Sequence, residues 1–115
     1  MVRSDPPFSA DLIHLDGSVV FRLVGELDIA TVPLLRDAVD AVINQHLQAV
    51  ILDLGELTFV DVVGLRGLLH VGQTAKIINA EFTLRCVTER TLGVIRLVGF
   101  AELERATEPL PADAL

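Results

Sequence analysis

Few side chains in this sequence can do chemistry, and their spacing narrows what that chemistry is. Asp53 sits near the end of the apolar run Ile51-Leu52-Asp53-Leu54, which is how a phospho-accepting receiver domain presents its nucleophilic carboxylate. Such a site also needs a pair of acids after the first strand to hold Mg²⁺, and a late lysine to neutralise the acyl phosphate. The single lysine is Lys76, in the middle of the chain, and the sequence opens with hairpin-like runs in place of a β-α unit. His14, His46 and His70 lie on three separate segments with no companion at metal-ligand spacing. Cys86 is the sole cysteine, so an internal disulfide and a Cys-rich zinc site are excluded, and it reads as a small buried hydrophobe within a strand. Ser4, Ser9 and Ser18 fall in the leading arm or the hairpin, and no Ser-His-Asp or Cys-His arrangement emerges. The glycines of Gly64-Leu65-Arg66-Gly67 lie inside an amphipathic pattern and form no phosphate-cradling loop. The expectation is a non-enzyme with no cofactor and no metal. Asp28 and Asp61 remain: Asp28 follows Gly25-Glu26-Leu27 at a strand exit, and Asp61 follows Leu57-Thr58-Phe59-Val60 at a helix entrance. Adjacent strands would bring both loops to one end of a sheet, where a helix N-terminus suits an anion or a phosphorylated side chain. The plainer reading is that Asp61 caps its helix and Asp28 ends its strand.

The elements that must position these residues are legible in the apolar pattern. The chain has 115 residues, enough for one domain, and is too rich in aliphatic residues for disorder. Nine basic residues against sixteen acidic ones leave no spare cations for phosphates, and Phe is the only aromatic, so nucleic-acid binding is excluded. Asp16-Gly17 between Leu12–Leu15 and Ser18–Val24 signals a hairpin. Val32, Leu35, Val39, Val42 and Ile43 form one buried stripe, which predicts a helix over 31–46 with Thr31 as cap and Pro33 in the first turn. Ala49–Leu54 reads as a central strand covered on both faces. Asp61 opens a second helix reaching about Ile78, whose Gly64, Gly67 and Gly72 imply a closely packed backbone along that face. Residues 81–87 form another strand, Thr88 caps a helix over 89–98 stopped by Gly99, and residues 101–107 read as a short edge strand. The predicted class is therefore α/β, a mixed β-sheet with amphipathic helices packed on it, in the order β-β-α-β-α-β-α-(β). Residues 1–10 read as a flexible arm, 11–107 as the domain, and 108–115 as a proline-bearing tail. No apolar run approaches about 18 residues and no secretory signal opens the chain, so a cytoplasmic protein with no membrane contact is expected.

Gly25-Glu26-Leu27-Asp28, together with Asp53-Leu54-Gly55-Glu56-Leu57-Thr58-Phe59-Val60-Asp61 and Gly64-Leu65, resembles the STAS domain of bacterial anti-sigma factor antagonists. The resemblance covers roughly residues 11–107 and implies a function made by binding. Members of that family bind an ATP-using anti-sigma factor, often a serine kinase, and so free a sigma subunit for transcription. Their switch is phosphorylation of a serine in an Asp-Ser-Ser/Thr-Gly motif at the start of the second helix.

This chain departs from that motif. It reads Asp61-Val62-Val63-Gly64, so Val62 stands at the phosphoserine position and neither valine accepts a phosphoryl group. A phosphoserine would add about −1.5 to −2 charges there. Thr58 is the nearest hydroxyl and a weak substitute. The resemblance implies a partner-binding surface of Asp28, Thr31, Asp61, Val62, Val63, Gly64 and Arg66. The domain would be locked in its binding-competent form. The alternatives are a STAS interaction module of a transporter or stress-signalling complex, a nucleotide- or lipid-binding role, and a homodimer formed through the apolar positions near Val62. In this family a final helix usually completes the fold, and the proline-bearing tail leaves little room for one.

Overall fold

The computed structural model describes residues 7–44 and 46–109. Two apolar runs flanking Asp16-Gly17 form β1 (Phe8–Leu15) and β2 (Ser18–Leu27), an antiparallel hairpin in which Leu15 pairs with Ser18 and Phe8 with Gly25. Helix α1 (Val32–Asp40) returns the chain to β3 (Ala49–Val60), which lies parallel to β2. Then follow α2 (Val62–Ile77), β4 (Glu81–Arg85), α3 (Glu89–Val98) and α4 (Ala101–Ala106). The sheet order is β1-β2-β3-β4, with β4 also parallel to β3. This is a single α/β domain with a mixed four-stranded sheet, as the hydrophobic pattern predicts.

Alternation within the strands decides which face the helices cover. Val19, Phe21 and Leu23 of β2, Val50, Leu52 and Leu54 of β3, and Leu84 of β4 are buried in one cluster with Leu35, Leu65, Leu68, Val71, Ile95 and Leu103 of the helices. Their neighbours in sequence point to the opposite face, where Val20 is buried outside that cluster.

Three expectations are corrected. The edge strand over 101–107 is α4: Ala101-Glu-Leu-Glu-Arg-Ala106 consists of helix formers, Leu103 buries fully, and only Thr107 bridges to Leu84. The final helix is thus present, ahead of the prolines. Helix α1 stops at Asp40, six residues short of His46; Asn44 folds back on Val42 O and accepts from His46 N, a local turn that replaces helix. Gln45 lies outside the described residues. The central strand is twice its expected length, because it continues past Leu54 to Val60 through register shifts opposite Arg22/Val24 and Gly25/Glu26. At the ends, β1 begins at Phe8, inside the expected arm, and the tail beyond residue 109 lies outside the described residues.

Candidate functional site

Because β2 and β3 are parallel neighbours, their C-terminal ends emerge side by side, with Leu27 paired to Val60. Asp28 and Asp61 therefore start adjacent loops, as their positions in sequence suggest. Asp61 is the N-cap of α2: its Oδ1 accepts from Gly64 N at 2.8 Å, and its own N–H donates to Leu27 O at 3.4 Å. Gly64 is buried against that same carbonyl. A Cβ there would collide with Leu27 O and lie 2.7 Å from Val60 Cγ2, so the first turn of α2 sits directly on the end of β2.

Asp28 organises the second loop. Its Oδ1 accepts from Ala30 N at 3.0 Å and Thr31 N at 3.2 Å, while its own N–H donates to Thr31 Oγ1 at 3.0 Å. The Thr31 hydroxyl donates in turn to Glu26 O at 2.8 Å. Thr31 occupies the N-cap position of α1 but spends its hydroxyl inward and makes no cap bond to the helix. Gly25 completes the frame. Its φ of +100° and the Pro7 carbonyl lying where a Cβ would project both require glycine. Glu26 N then donates to Pro7 O at 2.7 Å.

The expected contact residues divide by exposure. Val62 (39% exposed) and Arg66 face solvent, Asp28, Asp61 and Val63 are half-buried, and Val63 packs against the core. Thr31 and Gly64 are buried and shape the surface from beneath. Thr58 is exposed on β3 with its hydroxyl donating to Gly25 O at 3.2 Å, away from α2. Two further residues belong to this end and escape a reading by motif. Ile29, in the Asp28 loop, is 74% exposed, and Phe59, paired with Glu26, is 49% exposed. Their signal is an apolar residue where alternation calls for a polar one. Ile29, Phe59 and Val62 are exposed large apolar residues on the segments that meet at this end, which also carry Glu26, Asp28 and Asp61, and Arg66 is exposed one turn into α2.

Asp53 lies elsewhere, in mid-strand on β3. Its Oδ1 accepts from Gly55 N at 2.9 Å, and its cross-strand partners are Arg22 and Arg85, the reverse of the acidic cluster a receiver needs. Among the described residues no three His, Cys, Asp or Glu side chains group as metal ligands. Cys86 is exposed, with φ of 57°, at the turn that ends β4. This corrects its reading as a buried strand residue. Burial of part of its surface, and next the Asp53 carboxylate, hold its thiol above the ordinary thiol range. Gly64, Gly67 and Gly72 meet three different neighbours: the Leu27 backbone, the Val32 side chain and the Phe82 ring. Backbone packing therefore accounts for the first alone.

A mixed sheet with helices on one face, and a capped helix N-terminus seated on the neighbouring strand end, make up this α/β domain. The STAS domain family model matches residues 9–113, and the chain belongs to that family. No curated protein matches the sequence. Among solved structures, the chain is similar to an anti-sigma factor antagonist from Mycobacterium paratuberculosis at 26% identity. That match has a TM-score of 0.77 and covers 97% of this chain and 95% of the other. The unphosphorylated form of the anti-sigma factor antagonist SpoIIAA matches at 21% identity and TM-score 0.74, covering 92% and 91%. A sulfate transporter family protein from Wolinella succinogenes shares the fold at 21% identity and TM-score 0.69, over 83% and 79%.

Proposed function

We propose that this STAS domain is an anti-sigma factor antagonist. It binds an ATP-using, serine-kinase-like anti-sigma factor through the Asp28–Asp61 end of the sheet, and so releases a sigma factor for transcription. The observation that carries this reading is the first turn of α2. There an exposed apolar residue, Val62, stands beside the Asp61 cap at the position of the family's phospho-accepting serine. Ile29, exposed in the Asp28 loop, adds apolar area at the same end, and the carboxylates of Asp28 and Asp61 favour a basic partner face. Solved antagonist structures, matched over 91% and 95% of their own chains, support the reading in fold and coverage. Without a hydroxyl at position 62 there is no acceptor for the γ-phosphoryl group of the partner's ATP, so no charge is placed there and the complex persists.

The test is a pull-down of anti-sigma kinases from the same cell followed by incubation with ATP. Binding that survives ATP with no phosphate incorporated is the expected result, and Val62→Ser is expected to accept phosphate and dissociate. Absence of binding to any such kinase overturns the assignment. The Wolinella neighbour favours a second reading, an interaction module of a transporter; co-purification with a permease in place of a kinase selects it.

A further inference from the structure

The sheet face away from the helices carries two ordered rows of side chains. Strand register places Asp11 beside Arg22, Arg22 beside Asp53, and Asp53 beside Arg85, so charges alternate in sign across all four strands. One step toward the start of β2, Ile13, Val20, Ile51 and Thr83 line up in the same way. Val20 is 5% exposed although it lies outside the main core, and Ile13 at the edge is 48% exposed. Among the described residues the row's charges make no direct ion pair with one another. Arg85 pairs with Glu108 at 3.3 Å, Asp53 accepts from Gly55 N, and Asp11 and Arg22 have neither a side-chain hydrogen bond nor an ion pair.

The order of these charges has a symmetry consequence. Two copies stacked face to face about a two-fold axis along the strands, between β2 and β3, place β1 over β4 and β2 over β3 of the second copy. Asp11 then faces Arg85 and Arg22 faces Asp53, each twice, so all four contacts pair opposite charges. The same operation sets Val20 over Ile51. An axis running along the row would instead lay like charge on like. The row is self-complementary under one two-fold only, and a closed isologous dimer is what such a patch makes.

We infer that the sheet face that no described helix covers is the contact surface of a homodimer, with the occupant a second copy of this chain in that orientation. Four strands at ~4.8 Å spacing and about six residues of strand length give a footprint of roughly 400 Å² per copy. That is small for a stable interface, so the dimer is weak, and it loosens as salt rises. The axis runs along the strands, so both Asp28–Asp61 ends point the same way and the partner-binding surfaces stay free. A dimeric partner then meets two sites at once.

Analytical ultracentrifugation of the full chain from about 10 µM to about 1 mM tests this. The wild type is expected to move from 12.5 kDa toward twice that mass. Arg22→Asp and Asp53→Arg each oppose like charges across the axis and are expected to weaken association at least ten-fold, while circular dichroism confirms that they fold. Mixed in equal amounts, these two variants are expected to associate with each other. The double exchange R22D/D53R is expected to dimerise like the wild type. A wild type still monomeric at the highest concentration overturns the inference and leaves the face to a different occupant. Single variants that associate normally, or a mixture that fails to associate, overturn it as well.

Discussion

Alanine placed at three helical glycines gives a series in which the same substitution changes sign according to the space it meets. Removing a helical glycine is worth about 1 kcal/mol in propensity at each position. At Gly93, on the exposed side of α3, nothing lies within 4 Å of a new Cβ, so that gain is kept whole. A gain of about 1 kcal/mol raises the melting temperature by roughly 4 °C in a domain of this size. At Gly72 the Cβ would meet Phe82 ring carbons at 2.9 Å; the ring is half-buried and can pivot, so gain and clash nearly cancel. At Gly64 the obstacle is the Leu27 carbonyl, and relief requires lifting α2 off β2 and stretching the Asp61 N–Leu27 O bond. Overpacking of this kind costs about 3 kcal/mol. After the propensity gain the net loss is about 2 kcal/mol, or roughly 8 °C. Urea and thermal unfolding followed by far-UV circular dichroism measure all three. A G64A variant as stable as G93A would refute the claim that α2 rests on the strand end.

The remaining predictions concern single side chains. Thr31→Val leaves the Asp28 N–H and Glu26 carbonyl without their partner and is expected to cost about 2 kcal/mol in urea unfolding, whereas Thr31→Ser keeps most of it. Asp61→Ala removes the α2 cap and is expected to cost about 1 kcal/mol, with the loss confined to that helix start in NMR shifts. Cys86 should alkylate with iodoacetamide more slowly than a free thiol at a given pH, because its raised pKa leaves a smaller fraction as thiolate. Burial is the larger cause and Asp53 the next, so Asp53→Asn should move that rate profile part of the way back toward lower pH; an unmoved profile excludes the Asp53 contribution.

What the sequence discloses follows from which forces are local. The Asp16-Gly17 turn, the Asp61 and Thr88 caps and the Gly99 stop are one-residue chemistries, and each stands where its residue type places it. The proximity of Asp28 and Asp61 is also legible, since parallel neighbouring strands leave no other arrangement. Elements that depend on a neighbour are less so. Nothing in Leu57-Thr58-Phe59-Val60 alternates cleanly, because β3 passes a bulge and pairs there with β2 alone. Ala101–Ala106 is short enough that Leu103 reaching the core decides its state. Thr31 looks like an exposed cap and is buried, its hydroxyl tying the start of α1 back to the end of β2 through the Glu26 carbonyl, which spacing does not show. Exposure of Ile29 and Phe59 is likewise a tertiary fact, visible in sequence as misplaced apolar residues.

The parallel pairing of β2 with β3 has a consequence for when the binding end comes into existence. The β1–β2 hairpin closes over two residues, but Leu27 meets Val60 only across an intervening stretch of roughly thirty residues that includes α1. Closing that interval is entropically unfavourable until β3 and α2 dock together. The Asp28 loop and the Asp61 cap therefore belong to no smaller folding unit, and a partly folded chain does not present them as one surface. Whatever binds there draws on the free energy of the whole domain and returns it, raising global stability by RT ln(1 + [L]/Kd). A partner that reads this surface is also reading whether the chain has finished folding.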